Sequence, residues 1–273
     1  MKKIAIIGLG LIGGSLLKSL QNKGYNLYAV SKNPETVKKV QEQNLVMEIS
    51  SNLELVKGVD LIFIATPIET IIEVLEKIKP YINCETIIAD LASVKGFIMD
   101  YANNTNLNFI GLHPMAGTED AGFDNSDEKL FENSKWAVIP SDFAKPESVD
   151  FVKEIIKKIG AKPVLTDAKS HDKATAMVSH LPLVLSQALF SNASTELDKT
   201  LSASGFRDMT RLAMSNSKMA RDMIKYNKKN ILECLTSLEI TANNLLENYE
   251  TSDIEKIAAE RRKMYTKDGK NLY

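Results

Sequence analysis

Little in this sequence points to a membrane, a metal or a polyanion. No apolar run approaches the ~20 residues that span a bilayer, and strand-like residues from Lys3 onward leave no room for a signal or transit peptide. The two cysteines, Cys84 and Cys234, lie far apart and outside any metal-ligand spacing, so no metal site and a reduced, cytoplasmic setting are expected. Charges nearly cancel, 34 Lys and Arg against 35 Asp and Glu, which gives no electrostatic case for nucleic acid or an anionic membrane as partner. Repeats and low-complexity tracts are absent. What remains is 273 residues of ordinary composition, enough for one large or two ordinary domains with a substantial core.

The first pattern present is Lys3-Ile4-Ala5-Ile6-Ile7, a short apolar run of the kind buried on both faces of a sheet. It leads into Gly8-Leu9-Gly10-Leu11-Ile12-Gly13, after which apolar residues recur at helical spacing. Strand before and helix after give the G-x-G-x-x-G pattern its meaning: dinucleotide binding. Gly8 permits the tight turn, Gly10 lets backbone approach a pyrophosphate, and Gly13 lets helix and strand pack closely. The helix amides then face the phosphates. The alternative is a glycine turn that merely packs.

The second strand, 27–30, ends in Ser31-Lys32-Asn33, where a carboxylate would ordinarily grip the ribose hydroxyls of NAD. A hydroxyl, an ammonium and an amide do not repel a 2′-phosphate, so NADP is expected ahead of NAD. Lys32 could equally be a solvated residue before a helix that Asn33 caps and Pro34 begins. A strand over 59–65 precedes Thr66-Pro67-Ile68-Glu69, which reads as a capping box; Ala65, Thr66 and Pro67 would also border the cofactor. A strand over 86–89 leads to Ser93, which is either a helix N-cap or a hydroxyl at the site.

The apolar run 108–112 reads as another buried strand, with His113 just past its end and Pro114 and Gly117 fixing a turn. In open α/β sheets ligands bind at that carboxyl edge. An imidazole there can accept a proton near neutral pH, unless it merely packs against the turn. Strands over 135–139 and 162–165, with a helix over 147–159 between them, complete a doubly wound sheet through residue 165.

From Thr166 the strand signal disappears, so residues 1–165 are expected to form a dinucleotide-binding domain and 166–273 an all-α substrate and dimerisation domain. A long helix over 167–192 carries Pro182 as a kink. His171 reads as a solvated residue on it, and His180 as support for the helical wall. Residues 205–211 break the helical pattern, and 217–249 resume it. There Ile224, Ile231, Leu235, Leu238, Ala242, Leu245 and Tyr249 make a packing seam. Core packing would explain the seam; a subunit interface is preferred because the helical half alone is thin.

Assembled, these motifs resemble the prephenate/arogenate dehydrogenase family of tyrosine biosynthesis over nearly the whole chain. The resemblance rests on the glycine pattern, Asp90-Leu91-Ala92-Ser93-Val94-Lys95, His113-Pro114-Met115-Ala116-Gly117-Thr118-Glu119, Ser179-His180-Leu181-Pro182, and Ser204-Gly205-Phe206-Arg207-Asp208 with Thr210-Arg211. Within the family the motifs look most like NADP-dependent arogenate dehydrogenases of cyanobacterial type. Where many prephenate-using members have a second histidine, this chain has Leu183.

The resemblance implies oxidative decarboxylation of a cyclohexadienol. Hydride leaves C4 for the nicotinamide, and loss of carbon dioxide aromatises the ring. It implies that His113 takes the 4-hydroxyl proton and that Ser93 orients hydroxyl and imidazole while bordering the cofactor. Arg211 would bind a substrate carboxylate. Arg207 would either assist or serve as an ion-pair partner, and His180, Gly117, Thr118 and Glu119 would line the substrate. It also implies a homodimer through the C-terminal helices, with neither a chorismate mutase domain ahead nor a regulatory domain behind. Two rivals are another two-domain oxidoreductase, such as a β-hydroxyacid dehydrogenase or a pyrroline carboxylate reductase, and a non-catalytic NADP-binding sensor.

Overall fold

Short apolar runs become the strands of a single sheet. The computed structural model describes residues 1–118, 120–251 and 253–265. Strands and helices alternate as β1 (Lys3–Ile7), α1 (Leu11–Ser19), β2 (Asn26–Val30), α2 (Pro34–Glu42), β3 (Glu48–Ser50), β4 (Leu61–Ile64) and α3 (Ile71–Ile78). They continue as β5 (Ile87–Asp90), α4 (Gly96–Asn104), β6 (Phe109–Pro114), β7 (Lys135–Pro140), α5 (Pro146–Lys158) and β8 (Lys162–Leu165).

The sheet order is β3-β2-β1-β4-β5-β6-β7-β8. The first six strands are parallel; β7 pairs antiparallel with β6, and β8 runs alongside β7. Strand alternation separates two cores. Ile4 and Ile6 pack with Leu16 and Trp136 on one face, Ala5 and Ile7 with Ile71 and Phe109 on the other. Chain order reverses between β1 and β4, which opens a crevice at the carboxyl edge of the sheet. The doubly wound architecture read from the sequence is the one observed. The sequence pattern does not predict β3, whose three residues carry one apolar side chain, Ile49.

Several local expectations are corrected. Pro67, not Thr66, precedes the 3₁₀ turn Ile68–Thr70, and no side chain caps that turn, so the capping box does not form. Ser93 is not a helix cap either: Lys95 holds the N-cap position of α4 without a side-chain cap bond. His113 lies within β6 rather than beyond it. The antiparallel ladder pairs His113 with Ala137 and Pro114 with Trp136, carrying the strand two residues further than its apolar run suggests.

The remaining elements are α6 (Ala168–Thr175), a π-helical turn (Ala176–His180), α7 (Leu181–Asn192), α8 (Glu196–Leu201), α9 (Ser204–Thr210), α10 (Ser217–Glu247) and α11 (Ile254–Met264). The segment expected to break the helical pattern at 205–211 is thus mostly helix α9. The long helix over 167–192 forms as expected, with Pro182 in the first turn of α7. Proline lacks an N–H and crowds the carbonyl one turn earlier, and the wider π turn just before it accommodates both effects. One 18-residue window of the helix Ala168–Asn192 reaches mean hydropathy 1.2, enough by length and composition alone to cross a membrane, although no continuous apolar run of that length is present. Here it is a packing helix: Ala176 and Leu181 share a core with Ile231 and Cys234 of α10.

One buried amide ties this helix to α10. Asn227, 3% exposed at a kink in α10 (φ −120°, ψ 19°), donates to the Asp172 carbonyl at 2.7 Å and contacts His180 Nδ1 at 3.0 Å. Asn227→Ala leaves the buried His180 Nδ1 without a bond and the Asp172 carbonyl with only the Thr175 hydroxyl and the Ala176 amide. It should lower stability by about 2 kcal/mol, within the ~1–3 expected for an orphaned buried polar group. An unchanged denaturant midpoint would contradict this. Burial also holds the His180 imidazole down to about 4. The unfolded chain takes a proton at this ring near pH 6.5, the folded chain only near pH 4, so stability is full above that window and falls on acidification through it. His180→Gln should therefore decline less steeply than wild type between pH 7 and pH 4.5. Parallel declines in urea midpoint would rule out this contribution.

Candidate active site

Register aligns the residues that matter. Val30, Ile7, Ile64, Asp90 and Gly111 sit side by side across the sheet. The stretches that follow them therefore emerge at one edge: Ser31-Lys32-Asn33, Gly8 to Gly13, Ala65-Thr66-Pro67, Leu91-Ala92-Ser93, and His113 two positions beyond Gly111. Residues far apart in the chain share this edge because the first six strands are parallel.

At the first turn the glycines are required for different reasons. Gly8 has φ +92°, and a Cβ there would come within 2.9 Å of the Ala65 backbone. A Cβ on Gly13 would lie 2.0 Å from the Gly8 carbonyl oxygen, so only glycine lets α1 start this close to β1. Gly10 faces open space, with nothing within 4 Å of a built Cβ. Leu9 is buried beneath the turn, whereas Leu11 and Ile12 are half-buried at the start of α1. Thr66 Oγ1 is buried without a partner. An open approach over Gly10, a helix N-terminus and an unpaired hydroxyl fit a dinucleotide pyrophosphate. At the end of β2, Ser31 is 7% exposed and its hydroxyl accepts from the Asn33 amide at 3.3 Å. The Asn33 side chain caps α2, accepting from Glu35 and Thr36. Lys32 is exposed and forms no ion pair among the described residues. No carboxylate stands among these three residues.

His113, 8% exposed, is the buried centre of the edge. Its Nδ1 lies 2.9 Å from His171 Nε2, and the two rings meet edge to face. His171 Nδ1 in turn lies 2.8 Å from Asp172 Oδ1. That carboxylate accepts the backbone N–H of Lys95 and of Gly96, each at 2.8 Å, and so caps α4 from the helical half. His113 Nε2 has no partner among the described residues and is not sealed from solvent. Burial, together with neighbouring His171, Lys95 and His180, holds the His113 imidazole well below the usual histidine range. It is therefore neutral and able to accept a proton.

Beneath it lies a second buried pair. Lys95, fully buried, donates to Asp90 and to the Leu112 carbonyl at 2.8 Å, pinning β6 immediately before His113. Burial pushes the Asp90 carboxyl up and the Lys95 ammonium down, while each partner's charge opposes the shift. A Cβ on Gly111 would come within 2.8 Å of Met99 Sδ and 3.2 Å of Lys95 Cδ, so glycine there clears the path of the lysine stem.

The structure brings together less of the expected substrate side. Ser93 is half-buried, on the same edge as His113, and its hydroxyl makes no bond among the described residues. Gly117 and Thr118 are exposed, and Glu119 lies outside the described residues. His180 is fully buried, with Nε2 unpartnered. Arg207 is exposed, 3.6 Å from Asp208, and Arg211 is exposed at the start of the 3₁₀ turn Arg211–Met214. Neither arginine bonds to the His113 cluster. His171 corrects the sequence reading: it is 4% exposed rather than solvated, because its face of α6 packs against β6 and α4. The adjacent pair His171-Asp172 on a helix of otherwise polar composition was the available signal.

Two family models match in tandem: "Prephenate dehydrogenase, nucleotide-binding domain" over residues 16–165 and "Prephenate dehydrogenase, dimerization domain" over 167–262. A curated prephenate dehydrogenase of Lactococcus lactis is 35% identical over 246 residues, covering 85% of this chain and 67% of the relative. The chain thus spans about two thirds of that relative's length. Among solved structures, Synechocystis arogenate dehydrogenase matches with TM-score 0.85 and 33% identity, over 94% of this chain and 96% of the other. The prephenate dehydrogenase of A. aeolicus, in complex with hydroxyphenyl propionate and NAD+, matches with TM-score 0.86 and 27% identity, over 96% and 97%. Motif order, sheet topology and both halves of the chain agree: it belongs to the prephenate dehydrogenase family.

Proposed function

We propose that this chain catalyses the oxidative decarboxylation of a cyclohexadienyl substrate, with arogenate preferred over prephenate and NADP over NAD. The observation that carries this is His113, a buried neutral imidazole with one free ring nitrogen, on the edge that also presents the dinucleotide turn. A bound nicotinamide would supply the hydride acceptor. Residues 1–165 would hold it through Gly8, Leu9, Gly10, Leu11, Ile12 and Gly13 at the pyrophosphate, Ser31, Lys32 and Asn33 at the adenosine ribose, and Ala65, Thr66, Pro67 and Ser93 along the middle.

His113 Nε2 takes the proton of the substrate 4-hydroxyl, which prepares the carbinol carbon to become a carbonyl carbon. Ser93, with no bond of its own, orients that hydroxyl. Arg211 forms no ion pair among the described residues and binds a substrate carboxylate in the two-pronged manner a guanidinium allows; Arg207 assists. Gly117 and Thr118 border the ring, and the fully buried His180 supports the helical wall. Leu183, buried against Ala220 and Met223, stands where many prephenate-using relatives have a second histidine, and the loss of that polar contact favours arogenate. The 35% identity to the L. lactis prephenate dehydrogenase supports prephenate as the second reading.

Residues 166–273 serve substrate binding and dimerisation. Much of the outer half of the α10 seam is open, with Tyr249 65% exposed, and Leu246 beside it is 75% exposed; a second copy would cover them. Both cysteines are free, in keeping with the cytoplasm.

Initial rates on arogenate and prephenate, each with NADP and NAD, test the reading directly. Arogenate with NADP should give the highest kcat/KM, by roughly 10- to 100-fold over NAD, the worth of one charge-assisted contact. Ser31→Asp should shift that preference toward NAD. Faster turnover with NAD would overturn the cofactor reading, and faster turnover of prephenate the substrate reading. His113→Asn should keep cofactor affinity and lower kcat by about 100-fold or more. Near-normal kcat in that variant would remove His113 from the role of base.

A further inference from the structure

We propose that Asp172 and His171 are positioning residues that fix the tautomer of His113, keeping its proton on Nδ1 and its lone pair on Nε2. This rests on the reading of His113 as base. The argument runs outward from the carboxylate. Asp172 can only accept, so the ring atom 2.8 Å away, His171 Nδ1, carries the hydrogen. When each ring carries one proton, His171 Nε2 is then a bare acceptor. The atom 2.9 Å from it, His113 Nδ1, must donate, which leaves His113 Nε2 unprotonated. The chain of bonds has one consistent direction, and it ends at the nitrogen that has no partner among the described residues.

The same carboxylate is itself held. Its two oxygens accept the Lys95 and Gly96 amides at the start of α4, and the Asp172 carbonyl receives Asn227. A Cβ on Gly96 would lie 3.1 Å from Asp172 Oδ2, so glycine permits this close seat. The charged and titratable groups around the pair are Asp90 and Lys95 from β5 and the turn before α4, and His180 from the π turn. None of these hydrogen-bonds to His171 or His113, so the carboxylate alone sets the direction of the chain.

The chain has three histidines, which makes the proton positions directly readable by NMR on protein labelled with ¹⁵N at histidine. At neutral pH, wild type should show His113 and His171 both protonated on Nδ1 and bare on Nε2. Most exposed neutral histidines carry the proton on the other nitrogen, so the signature is distinctive. Asp172→Ala removes the acceptor and should release both rings from this tautomer, with kcat reduced by about 100-fold or more, as for loss of the base. His171→Gln keeps an acceptor in reach of His113 Nδ1 and should retain more activity than His171→Leu, which has none. A wild-type His113 protonated on Nε2 would overturn the proposal, as would an Asp172→Ala protein with unchanged tautomers. Equal kcat in the Gln and Leu variants would do the same. Because the NMR readout needs no turnover, it decides this proposal even if His113→Asn shows that His113 is not the base.

Discussion

The Asp172 carboxylate is where the two halves of the molecule meet chemically. It reaches from the first helix of the all-α half to the first amides of α4, which no side chain of the sheet half satisfies among the described residues. A helix start left bare and buried loses the hydrogen bonds its first amides would otherwise make with water, and a carboxylate is well suited to supply them. One charge thereby closes the helix that follows Ser93 and anchors the imidazole chain leading to His113. Phe97 of α4 stacks on Tyr226 of α10 beside it, at 4.5 Å between centroids, so apolar packing reinforces the same junction.

Two kinds of residue make that junction possible. The polar ones are nearly all partnered: Lys95 with Asp90 and Leu112, Asn227 with Asp172 and His180. Buried charge without such partners would be strongly destabilising. The glycines are the other kind. Gly96 admits the carboxylate and Gly111 admits the lysine stem, just as Gly8 and Gly13 admit the close approach of α1. The exceptions to full pairing, Thr66 Oγ1, Asp90 Oδ1, His180 Nε2 and Ser186 Oγ, include one hydroxyl at the dinucleotide edge. Partners for such groups are what a ligand brings to a site.

The sheet half was legible in the sequence because its signals are local. A buried strand followed by spaced glycines, a proline after a capping Asn, and an apolar run before a histidine each declare themselves within a dozen residues. What depended on distant partners was not legible. Ser93 and Thr66 look like caps, yet the α4 cap comes from Asp172, 77 positions beyond Lys95. His171 reads as surface because its neighbours Lys169, Ser170 and Lys173 are polar, and only the packing of α6 against β6 reveals it. His113 was expected past its strand because the stabilising partner of that extra length, β7, is antiparallel and invisible in the local pattern. The helical half was legible in class but less so in detail: α9 hides in a glycine-containing stretch, and the kink at Asn227 has no proline to mark it.

A buried neutral imidazole as the proton acceptor has a direct kinetic consequence. Burial and the neighbouring His171, Lys95 and His180 depress His113, so the free enzyme keeps this ring, the proposed base, unprotonated below the pH at which an ordinary histidine titrates. The decisive measurement is the pH dependence of kcat/KM, which reports the free enzyme. The account predicts a plateau that extends from neutral pH to below 6.5, with the acid limb under that value and absent from the residual rate of His113→Asn. An acid limb at or above pH 6.5, or one that persists unchanged in His113→Asn, would contradict it.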